Sequence, residues 1–129
     1  MALNPDNAGS LVVRPMLPSV SAANTAAATS GAGFWIDTQD LEGSIVVLVA
    51  GGAVTGSVTG KLQSATDVNG TGAADLTGYT FAAISTANQA AALTIPKTAL
   101  TNRYLGFVGT VVTGPVLLAV VAVGSKKYS

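Results

Sequence analysis

Two stretches dominate the hydrophobic pattern of this chain. Residues 45–54 read Ile-Val-Val-Leu-Val-Ala-Gly-Gly-Ala-Val, and residues 116–123 read Val-Leu-Leu-Ala-Val-Val-Ala-Val. Each is about half the ~20 apolar residues that a membrane-spanning helix requires. Both are rich in valine, and Gly51, Gly52, Pro115 and Gly124 punctuate them. Short, β-branched and bounded by Gly or Pro, they predict fully buried strands. Residues 44–50 are therefore expected as a central strand, with a turn or bulge at Gly51-Gly52.

Elsewhere the pattern alternates. Residues 57–64 place Val58, Gly60 and Leu62 on one side and Thr59, Lys61 and Gln63 on the other, which predicts a half-exposed strand. Phe34-Trp35-Ile36-Asp37 reads as a short strand. Residues 79–84 and 91–95 read as weaker ones, the second ended by Pro96. Residues 103–113 are expected to pair with 116–123 across Thr113-Gly114-Pro115 as a hairpin. The run Asp-Val-Asn-Gly-Thr-Gly at 67–72 concentrates turn formers and reads as a loop. No amphipathic helix of useful length is present. The expected fold is all-β, a β-sandwich or jelly roll of about seven to eight short antiparallel strands.

Residues 1–30 have a different texture. Pro5, Pro15 and Pro18 lie here, followed by the low-complexity run Ala-Ala-Asn-Thr-Ala-Ala-Ala-Thr-Ser at 22–30. The expected organisation is an extended N-terminal arm over 1–30 and a β-sandwich domain over 31–129. Within the arm, Leu11, Val12, Val13, Arg14, Met16 and Leu17 can add as a strand, either to a neighbouring subunit's sheet edge or to the chain's own sheet. With Trp35, which alternation places either in the core or at a subunit interface, they form the candidate assembly contacts.

Composition sharpens the picture. Charged residues make up 9% of the chain, against roughly 25% in an average soluble domain. Six basic and six acidic residues cancel. Weakly charged, neutral surfaces tend to associate, so this one suits a surface covered by protein. Nucleic-acid binding is not expected, because phosphate neutralisation needs clustered Lys and Arg and the only such pair is Lys126-Lys127. Met1 to Asp6 has neither a basic region nor an apolar run, so no secretory signal is expected; the apolar runs are too short to span a bilayer, so no membrane partner is expected.

Candidate chemistry is thin. The sequence contains no cysteine and no histidine, which removes disulfides, thiolates and the commonest general base and metal ligand. A serine or threonine nucleophile would have to rely on Lys61 or Lys97, and neither spacing is persuasive. Asp37, Asp40 and Glu42 cluster, but without a recognisable calcium loop; a polar turn in which Asp37 or Asp40 caps backbone amides is the simpler reading. Neither an enzyme nor a cofactor or metal is expected.

The order Ile36-Asp37-Thr38-Gln39, a Val-rich strand at 44–50, Lys61-Leu62-Gln63-Ser64, Ala73-Ala74-Asp75-Leu76-Thr77-Gly78 and Asn102-Arg103-Tyr104-Leu105 resembles small structural proteins of tailed bacteriophages. The resemblance implies a virion protein, a capsid decoration or cement protein on the capsid exterior. It would be made in the host cytoplasm, with the major capsid protein and copies of itself, in a trimer for example, as partners. The alternatives are a head-tail junction or tail structural protein, and a carbohydrate-binding attachment module using Trp35.

Overall fold

The computed structural model describes residues 11–22, 27–29, 34–113 and 116–126. The β-branched runs form strands, as their fit to a pleated surface dictates. The described strands are β1 (Leu11–Ala22), β2 (Ala27–Thr29), β3 (Ile36–Asp37), β4 (Leu41–Val54), β5 (Ser57–Ala65), β6 (Ala74–Thr80), β7 (Ala90–Pro96), β8 (Tyr104–Val112) and β9 (Val116–Lys126). A short 3-10 turn covers Lys97–Ala99.

One sheet has the order β1-β9-β4-β7; the other has the order β2-β8-β5-β6, with β3 also pairing β8. Every ladder is antiparallel. The partners nest: β5 pairs β6, β4 pairs β7, β2 and β3 pair β8, and β1 pairs β9. The chain is thus a long two-stranded ribbon, doubled back between β5 and β6. It is rolled until β4 meets β9 and β5 meets β8, which is the connectivity of a jelly roll.

The core lies between the sheets. Ile45, Val47 and Val49 from β4 and Leu118, Val120 and Ala122 from β9 face Val58, Leu62, Leu105, Phe107 and Val111. Phe107 meets Phe81 edge-on, with ring centroids 5.8 Å apart. Glycine makes room for it: a Cβ on Gly60 would stand 2.3 Å from Phe107 Cε2. This explains a glycine on the buried side of β5, where Val58, Gly60 and Leu62 all point inward as their alternation predicted.

Three expectations need correction. Residues 103–113 and 116–123 do not form a hairpin, because β8 and β9 belong to opposite sheets. Both bury one face in the same core. Gly56, at φ +96, lies against the end of β8, and a Cβ there would stand 1.9 Å from the Thr113 carbonyl oxygen. The strand expected at 79–84 lies earlier, at Ala74–Thr80, and beyond it Ile84 makes an isolated bridge to Val58. Within the segment expected as an arm, Leu11–Ala22 pairs with β9 along its length, the own-sheet alternative for that strand. Met16 is completely buried, so the strand is held by the chain's own core. Residues 1–10, 23–26, 30–33 and Lys127, parts of the expected arm and basic tail among them, lie outside the described residues. Finally, β4 and β9 are buried on one face only.

Candidate assembly surface

The outer face of the β1-β9-β4-β7 sheet can be read row by row from the strand register. Across the first row stand Thr94, Val46, Val123 and Val13; across the second, Ala92, Leu48, Val121 and Pro15. A third row runs through Ala90, Ala50 and Ala119. Leu48 is 40% exposed, Val13 58%, and Leu117 beyond the third row 42%. A trough of about 390 Å³ lies over Ala50, Ala92 and Ala119, beside Leu48 and Val121. None of these residues is charged.

The opposite sheet presents a different face. Lys61 donates to Asp75 Oδ2 at 3.0 Å and Gln63 donates to Asp75 Oδ1 at 2.7 Å, across the β5-β6 pair. Thr59 and Thr110, exposed and paired in register, continue the polar pattern. The two outer faces of the sandwich therefore differ in kind: one is ordinary solvated sheet, the other is apolar. An antiparallel sheet with one solvated face normally alternates apolar and polar side chains. In β4 and β9 the outward positions are instead filled as though they too were covered.

The predicted assembly contacts divide accordingly. Val13 lies on the apolar face, opposite Val123. Arg14 is exposed and Val12 half-buried. Leu11 and Leu17 pair with Ser125 and Val120 through the backbone; their side chains lie outside the described residues. Met16 and Trp35 are in the interior, at 0% and 5% exposure. Trp35 packs where Gly106 and Gly70 have no side chain; a Cβ on Gly106 would stand 2.2 Å from Trp35 Cε3. It is not placed to stack on a sugar. Sequence reasoning missed Leu48, Ala92, Ala119 and Val121 because runs of apolar residues carry no sign of which face is uncovered.

One end of the sandwich is polar and tightly organised. Arg103 donates from Nε to Asp37 Oδ1 at 2.7 Å and from Nη2 to Asp37 Oδ2 at 2.5 Å. Asp37 Oδ1 also accepts the Gln39 amide at 3.0 Å, the capping role expected of it. The Arg103 bond, foremost, holds the Asp37 carboxyl below its ordinary value of 3.8, with the Gln39 amide adding to it against partial desolvation. Thr38, buried, donates its hydroxyl to the Arg103 carbonyl at 2.5 Å. Lys97 donates to the carbonyls of Gln39 and Leu41 at 3.1 and 2.8 Å. A cleft of about 360 Å³ between Thr38, Lys97 and Arg103 thus has both its cations engaged in closing the corner. Lys61, the other lysine beside abundant hydroxyls, is paired with Asp75. Among the described residues no group of three His, Cys, Asp or Glu is arranged to hold a metal ion, and no helix is long and apolar enough to cross a membrane.

Comparison of the chain with protein-family models, with curated proteins and with solved structures gives no match.

Proposed function

We propose that this protein is a virion structural subunit, a decoration protein that docks on the outside of a bacteriophage head and stabilises the shell without performing chemistry. The observation that carries this reading is the uncharged apolar face running from Ala92 through Leu48 and Val121 to Pro15. Apolar surface of that extent favours contact with protein over water. The low charge of the whole chain, 9%, points the same way. Jelly rolls are used by viral capsid proteins, though also by lectins and cupins, so the fold alone does not choose among them. The order of sequence motifs that resembles phage structural proteins favours the capsid reading. Two of those motifs, Asp37-Thr38-Gln39 and Arg103, meet at the polar corner.

The mechanism is linkage. A subunit that binds only the assembled lattice stabilises that lattice by mass action, by about 2.7 kcal/mol per site when its free concentration is a hundred times the dissociation constant. The test is to add the purified chain to shells prepared without it. Saturable co-sedimentation, with copy number tracking the capsomers and a higher temperature of genome release, is the expected result. Occupancy limited to one vertex would assign the protein to the head-tail junction instead. Absence of binding would overturn the virion reading.

A further inference from the structure

An interface between identical copies places one patch against itself, so each residue must tolerate its own kind across a two-fold axis. Charge is what most often forbids this, because like charges would be buried facing one another. The middle of the apolar face carries none: Leu48, Ala50, Ala92, Ala119 and Val121 surround its trough, and the nearest charge in register, Glu42 opposite Ser125, stands at the margin beyond Val46 and Val123. Its relief is also self-matching, since the large Leu48 stands beside alanines that leave space, and facing surfaces interdigitate when large and small residues alternate. The area suffices. Four strands spaced about 4.8 Å apart, carrying same-face residues about 6.8 Å apart over four levels, project roughly 500 Å². Two such faces remove about 1,000 Å² from solvent, the lower bound for a specific interface.

We propose that a second copy of this chain covers this face, through a two-fold, sheet-to-sheet contact centred on Leu48 and Ala119. The inference rests on the reading of the protein as an assembling structural subunit and names the partner of that apolar face. The polar sheet, with Lys61, Gln63 and Asp75, then faces outward on both sides of the dimer.

Sedimentation velocity of the full chain from about 1 to about 100 µM tests this directly. The expected species is a dimer. Leu48→Glu, at a position already 40% exposed, weakens it at least about tenfold, while Thr110→Glu on the opposite sheet leaves it unchanged. Far-UV circular dichroism and the emission of Trp35 confirm that each variant is folded. A monomer at every concentration, an odd-numbered assembly, or a dimer indifferent to Leu48→Glu overturns the proposal. Shell binding is scored separately. A monomer that still binds shells, and loses that binding with Leu48→Glu, gives the face to the capsid protein and leaves the decoration reading intact. A dimer that ignores shells keeps the face-to-face contact and overturns decoration.

Discussion

Asp37 and Arg103, 66 residues apart in sequence, are joined by two parallel hydrogen bonds that tie β3 to the start of β8. The carboxylate is the acceptor in both, so protonating it removes the pair. Asp37 is shifted below its ordinary value chiefly by Arg103, Asp75 chiefly by Gln63 and then Lys61, and Asp67 by the hydroxyl and amide of Thr71. For each of them the folded state releases its proton more readily than the unfolded state. Their contribution is therefore complete above the unfolded value near 3.8 and is lost as pH falls through the lower folded values. The melting temperature should be level from about pH 7 to about pH 5 and fall below about pH 4. Asp37→Asn should lower it at neutral pH and shrink the acid-induced drop. A drop of unchanged size in that variant would contradict the assignment.

Trp35 and Gly106 define a second dependence. With a Cβ at Gly106 only 2.2 Å from the indole, Gly106→Ala must displace the ring or the strand, at a cost of about 1–3 kcal/mol. Trp35 is the single tryptophan of the chain, so its emission reports the event without interference. A red shift together with a lower urea midpoint is expected. A variant with wild-type emission and midpoint would show that the indole is not held there.

The first described strand should prove part of the folding unit. Met16 is completely buried, and Met16→Ala should cost about 2–5 kcal/mol. Val112→Ala, at 58% exposure, should cost less than about 0.5 kcal/mol. Removing residues 1–22 would strip β9 of its β1 partner and should leave a chain that fails to melt cooperatively by calorimetry. A sharp, wild-type transition in that truncation would return the segment to the role of a dispensable arm.

Local features of this fold were legible in the sequence, and long-range ones were not. The inward trio Val58, Gly60 and Leu62 followed from alternation, the bulge beyond Gly51 from paired glycines, and the loop at 67–72 from its Asx and Gly content. The separation of β8 from β9 did not, because Thr113-Gly114-Pro115 is as short as a hairpin turn and only the packing of Phe107 and Leu118 into one core decides which sheet each strand joins. The Asp37–Arg103 pair was hidden for a similar reason: each residue looks like an ordinary surface charge until β3 meets β8. The assembly surface was half visible. The low charge and the Val-rich runs announced burial, but only the strand register separates the inward Ile45, Val47 and Val49 from the outward Val46, Leu48 and Ala50.

The claim that this outer face is covered in the working protein is open to a direct chemical measurement. The chain has no cysteine, so Ala119→Cys supplies a unique thiol in the middle of the apolar face. Its rate of maleimide labelling should be compared between the dilute, dissociated chain and the same chain incorporated into particles. Covering by protein predicts labelling slowed at least about tenfold in particles and restored on dissociation. Equal rates in the two states would show that the face stays open to water and would contradict the account.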